Sequence, residues 1–88
     1  MSNTKKVTLY TVAWCPHCVA ARGFLQQEGI RFQEYDVDAD DAAWRRALAL
    51  TCGQDIVPVV EIDGQAVFGA FTGPFQSRIR GMLEMHRR

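Results

Sequence analysis

Cys15-Pro16-His17-Cys18 is the one place in this sequence where residue type and spacing together announce chemistry. Two cysteines three apart on a helix share a face, so their sulfurs can meet, and a helix start offers unpaired N–H groups and the positive end of the dipole. Both favour a thiolate over a thiol at the first position. Cys15 is therefore read as the nucleophile and Cys18, deeper in the helix and drier, as the resolving thiol. Pro16 suits a first helical turn because its missing N–H would have no helical partner there. His17 is expected to add to the stabilisation of the Cys15 thiolate as an imidazolium or a donor, making the pair more oxidising. Trp14, adjacent to Cys15, is read as an exposed aromatic that shields the thiolate and guides a partner.

Other uses of these residues are weaker. A structural zinc site needs four ligands, and Cys52, His17 and His86 lack the partner spacing to complete one, so no metal is expected. A permanent disulfide between Cys15 and Cys18 would close a very small loop and stabilise little. Cys52 reads as an inert small hydrophobe near a helix end. Asp36, Asp38, Asp40 and Asp41 suggest calcium, but Asp41 stands where an EF-hand needs Gly and Ala47 where it needs Glu; acidic residues at a helix start are the better account. Trp44 is assigned to the core and His86 to the end of the last helix. Arg22 and Gln54 are weak candidates for meeting a substrate carboxylate.

The elements that must position the cysteines follow from periodicity. Val7 to Val12 is a β-branched and aromatic run suited to a buried strand. From Pro16 the apolar spacing turns helical through Cys18, Ala21, Phe24 and Leu25, with Gly29 as the stop. Arg31 to Val37 reads as a second strand, parallel to the first because a helix intervenes. A second helix starts near Asp38 or Asp40, carries Trp44, Ala47 and Leu48 inward and runs to Gly53. Val57 to Ile62 and Gln65 to Phe68 form a hairpin about Asp63-Gly64, a type I′ signal. Pro74 opens a last helix with Phe75, Ile79, Met82 and Leu83 on one stripe. The fold class is α/β, a mixed sheet of four strands with three helices over both faces, in the order β-α-β-α-β-β-α.

The 88 residues, 48% hydrophobic and 23% charged, suffice for one domain spanning 1–88. Ten Lys plus Arg balance ten Asp plus Glu, so no field of one sign draws nucleic acid or acidic lipid. No apolar run nears the ~18 residues of a membrane span, and no signal peptide is evident. The expectation is a monomer that acts in the cytoplasm, with no nucleic-acid or membrane partner.

With Cys15-Pro16-His17-Cys18, this element order and Ile56-Val57-Pro58-Val59-Val60, the chain resembles the glutaredoxins, small members of the thioredoxin fold, from Val7 to about Leu83. The resemblance implies Cys15 as nucleophile, Cys18 as resolving cysteine and Pro58 as the proline that is cis in this fold. A proline there leaves the Val57 backbone free to pair with an extended substrate. The implied activity is dithiol–disulfide exchange on disulfide-containing proteins or glutathione mixed disulfides, with no tightly bound cofactor and glutathione as a possible co-substrate. Where the family commonly carries Tyr and an upstream basic residue, this chain has His17 and Val12. Where the family commonly holds the γ-glutamyl end of glutathione, it has Phe68-Gly69-Ala70-Phe71-Thr72-Gly73, in which Thr72 is the remaining side chain for that task. These departures imply weak glutathione binding. They also resemble the NrdH-type redoxins, electron donors to ribonucleotide reductase that a flavoprotein disulfide reductase, thioredoxin reductase, reduces. Some glutaredoxin relatives instead carry an iron–sulfur cluster between two chains, a third reading.

Overall fold

The computed structural model describes residues 6–84; His86 lies outside them. Val7–Thr11 form β1, and all five of its residues are buried, as in a strand covered on both faces. β2 (Gln33–Asp36) pairs with it in parallel, with Thr8 opposite Gln33 and Thr11 opposite Asp36. β3 (Val59–Ile62) pairs antiparallel along the other edge of β1, and β4 (Gln65–Phe68) returns beside β3, giving the order β2-β1-β3-β4. Asp63 and Gly64 join the last two strands with φ values of 53° and 82°. Two consecutive positive φ angles are the type I′ geometry whose twist matches the strands it joins.

Three helices, α1 (Pro16–Gln27), α2 (Asp41–Leu50) and α3 (Gly73–Glu84), complete the predicted element order. α1 ends in a Schellman motif: the Ile30 N–H reaches the Leu25 carbonyl at 2.9 Å and the Gly29 N–H reaches that of Gln26 at 3.1 Å. Gly29 takes the left-handed conformation, φ 71°, which the motif requires. α2 is capped by Asp40, whose carboxylate accepts the Ala43 N–H at 3.0 Å. Of the two starts the sequence allows, Asp40 is the one used.

The sheet separates two apolar clusters. Ala21, Phe24 and Leu25 of α1 and Phe75 and Ile79 of α3 pack with Leu9, Val60 and Ile62 on one face. Ala43 and Ala47 of α2 pack with Tyr10, Val12, Val37 and Val59 on the other. Helices therefore cover both faces, and burying a Leu or Ile side chain in such a layer stabilises by about 1.5–3 kcal/mol.

Several boundaries differ from expectation. β2 spans Gln33–Asp36 instead of 31–37, because an edge strand is only as long as its pairing with β1. β3 begins at Val59 and not at Val57: Pro58 has no N–H to give a ladder, and the pairing with β1 starts at Val59 opposite Tyr10. α2 stops at Leu50, short of Gly53. There the Thr51 hydroxyl bonds the Ala47 and Gln54 carbonyls at 3.0 and 2.7 Å and turns the chain. Cys52 follows, near the helix end as expected but exposed and with φ 59°.

Candidate active site

Topology brings the site together before any side chain is considered. Parallel β1 and β2 end on the same edge of the sheet, and antiparallel β3 begins there. The segments after Thr11, after Asp36 and before Val59 must therefore meet at one place, as loops at the carboxyl ends of parallel strands do.

Cys15 is the residue immediately before α1, in extended conformation with φ −94° and ψ 118°, and Pro16 follows as the first helical residue. Its carbonyl accepts the Cys18 and Val19 N–H groups at 3.1 and 3.2 Å. No acidic side chain occupies the first turn of α1 to oppose a negative charge there. The two sulfurs differ in access: Cys15 is 7% exposed and Cys18 is 0%. Burial, first of all, pushes the Cys18 thiol up to about 12, with the adjacent Cys15 adding to the rise and the Val12 backbone and Arg22 opposing it. Cys18 is held as a thiol across the neutral range.

Arg22 is not free to meet a substrate carboxylate. Its guanidinium makes a two-pronged pair with Glu34, at 2.8 and 2.6 Å, and the Thr11 hydroxyl donates to the same carboxylate at 2.8 Å. This knot ties α1 to β1 and β2 one turn beyond Cys18, where a planar guanidinium suits a planar carboxylate.

His17 is turned to the segment between β4 and α3. Its Nδ1 accepts the Phe71 N–H at 3.1 Å. While Nδ1 accepts there it cannot also donate a hydrogen bond to the Cys15 sulfur. The bond fastens the start of α1 to the segment between β4 and α3, where the Phe71 ring packs at 5.5 Å from Phe24 and 5.1 Å from Phe75. Thr72, the next residue, is exposed, and its carbonyl accepts the Gln76 N–H at 3.1 Å as the cap of α3.

A groove of about 710 Å³ opens beside Cys15, lined by Val12, Trp14, Val37 and Trp44 of α2. Ile56 and Val57 complete its apolar lining, and Asp38 and Asp55 supply its charges. Trp14 is 75% exposed. Trp44 is half-buried, packed against the core cluster as its spacing indicated, and also lines this groove. The Val57–Pro58 peptide is cis, as the resemblance implied. Of the residues singled out in the sequence, Trp14, Cys15 and Val57 line the groove, whereas His17 and Thr72 lie toward the β4–α3 segment. Trp44, Asp38, Asp55 and Ile56 were not foreseen as lining residues. The shared sheet edge was the signal that could have found them. Among the described residues no three His, Cys, Asp or Glu side chains group closely enough to hold a metal, and no helix is long and apolar enough to cross a membrane.

A four-stranded mixed sheet with a Cys-x-x-Cys at the start of its first helix defines the thioredoxin-like class of thiol–disulfide oxidoreductases. The glutaredoxin family model matches residues 7–67, and the chain belongs to that family. It is 35% identical over 69 residues to a protein of Synechocystis sp. described as a "Probable glutaredoxin", covering 78% of each chain. It is 40% identical over 63 residues to a glutaredoxin of Pseudomonas aeruginosa, covering 72% of this chain and 74% of the other. Among solved structures, the glutaredoxin-like NrdH-redoxin of Escherichia coli superposes with a TM-score of 0.69 at 26% identity, over 84% of this chain and 93% of that one. The chain is thus a thiol–disulfide oxidoreductase of the glutaredoxin family with a thioredoxin-like fold.

Proposed function

We propose that the protein, as one domain over 1–88, cycles between dithiol and disulfide at Cys15 and Cys18 and reduces disulfides of proteins or mixed disulfides of glutathione. The Cys15 thiolate attacks one sulfur of the substrate disulfide and a mixed disulfide forms. The displaced substrate thiolate leaves and takes a proton. Cys18 then gives up its proton and attacks the Cys15 sulfur, so the second substrate thiol departs and the Cys15–Cys18 disulfide remains. Two electrons have passed to the substrate, and an external thiol or a disulfide reductase must return them.

The observation that supports this cycle is the asymmetry of the two sulfurs, Cys15 at a helix start beside a groove and Cys18 fully buried and protonated one turn on. It supports attack by the first and resolution by the second. Cys18→Ser should accumulate stable mixed disulfides with oxidised protein substrates, and Cys15→Ser should form none. The reverse pattern would exchange the two roles.

For the electron source, the charges beside Cys15 favour an NrdH-type reading, reduction by a flavoprotein disulfide reductase in the cytoplasm, over saturation by glutathione. Glutathione brings two carboxylates, and a groove whose charged residues are Asp38 and Asp55 offers them no cation. Arg22 is engaged by Glu34 and Val12 is apolar. What remains for the tripeptide is the Val57 backbone and the N–H groups at the start of α3 near Thr72. Comparing turnover with glutathione plus glutathione reductase against NADPH plus thioredoxin reductase decides the matter. Efficient turnover at low glutathione would return the chain to the glutathione-driven glutaredoxins.

A further inference from the structure

The groove beside Cys15 carries more than the exchange cycle uses. Two indoles line it, that of Trp14 standing largely in solvent, and its charged residues are both aspartates. Asp38 follows β2 and Asp55 precedes β3, both exposed, and neither carboxylate has a hydrogen-bond or ion-pair partner among the described residues. No Lys or Arg lines the groove, and Arg22 and Arg46 are paired with Glu34 and Glu61. An apolar aromatic groove edged with uncompensated negative charge at a reactive thiol is complementary to a cation on an apolar stem: Lys and Arg lay their methylenes on aromatic surface and their charge against ring faces and carboxylates.

We infer that this groove selects, among disulfide substrates, protein segments in which Lys or Arg flanks the cysteine that Cys15 attacks. The inference rests on the dithiol–disulfide reading above and names its substrate class. The preference is local, since the whole chain has a formal net charge of +0 and no overall field to steer cations. It comes from Asp38 and Asp55 with Trp14 and Trp44 as the contact surface. An acidic segment meets the same surface with like charge.

The test uses the reduced full chain and three disulfide-linked peptides of equal length, identical except for Lys, Gln or Glu on both sides of the cysteine. Second-order rate constants for exchange are read after acid quenching. At low ionic strength the Lys peptide should react about three- to tenfold faster than the Glu peptide, the range expected of exposed charge pairs. The ratio should fall toward one near 1 M salt, where the screening length is about 3 Å. In Asp38→Asn/Asp55→Asn the ratio should collapse toward one at low salt as well. Equal rates for the Lys and Glu peptides in the unaltered protein, or a Lys preference that survives both salt and the double substitution, would overturn the inference and leave the exchange cycle standing. Failure of all three peptides to react would overturn the cycle itself.

Discussion

His17 Nδ1 and the Phe71 N–H, 54 residues apart in sequence, meet at 3.1 Å and stitch the start of α1 to the β4–α3 segment. Removing the acceptor with His17→Phe should speed hydrogen exchange at the Phe71 amide and cost about 0.5–1 kcal/mol, a modest loss because water can replace the partner at an exposed site. His17→Asn, which restores an acceptor, should recover part of the protection. Because Nδ1 is engaged by the Phe71 N–H, His17→Tyr should shift the redox potential by less than about 30 mV, a factor of ten in the exchange equilibrium. A larger fall would support the thiolate-stabilising role that the tetrapeptide first suggested.

The inequality of the active-site sulfurs predicts one-sided alkylation. In a Cys52→Ser background, which removes the exposed third thiol, iodoacetamide at about pH 8 should label Cys15 alone. Cys18, shut from solvent and raised to about 12, should stay unmodified until the protein unfolds. Mass spectrometry of proteolytic fragments reads the outcome, and equal labelling of both positions would remove the ordering of attack and resolution.

Arg22 and Glu34 give a stability limb in acid. The Arg22 guanidinium, chiefly, holds the Glu34 carboxyl below its ordinary 4.5, with Thr11 assisting. A carboxyl depressed on folding contributes stability that is present above its unfolded value and lost as pH falls through the folded one. Stability should therefore drop below about pH 4.5, and Glu34→Gln should flatten that drop while costing about 1 kcal/mol near neutrality, a figure kept low for a pair partly open to solvent. Urea titrations at pH 3, 4, 5 and 7 check both statements.

Tyr10 gives the corresponding limb in base. Burial, then its hydrogen bond to Glu61 at 2.8 Å, raises the phenol from 10.0 to about 12. An acid whose folded value is raised binds more protons folded than unfolded between the two, so stability should decline as pH rises from 10 to 12. Tyr10→Phe should remove that part of the alkaline decline. Its persistence in the variant would place the titrating group elsewhere.

Element identity was legible because local chemistry and burial agree: Val7–Thr11, Pro16 with Gly29, and Asp63-Gly64 each do what their residue types prefer. Boundaries were less legible wherever a partner strand or a side chain set them, as Tyr10 does for the start of β3 and Thr51 for the end of α2. Cys15 and Cys18 stood out because adjacent spacing carries their relationship. The orientation of His17 did not, since its partner Phe71 is distant in sequence and contributes a backbone group. Trp44 packs on the core cluster as its helical spacing indicates, but that spacing does not show that the stripe ends at an open groove.

The central position of β1 bears on how the chain comes off the ribosome. One edge of β1 finds its parallel partner in Gln33–Asp36, but the other waits for Val59–Ile62. At synthesis rates of ~5–20 residues per second, that edge stays open for on the order of seconds after Thr11 has been made. During that interval the nascent chain exposes an apolar strand with unpaired backbone groups, the kind of surface a holding chaperone recognises. Stalling translation before residue 59 should leave the N-terminal half of this oxidoreductase sensitive to protease, and release of the chain with α3, whose Phe75 and Ile79 complete the core, should make it resistant.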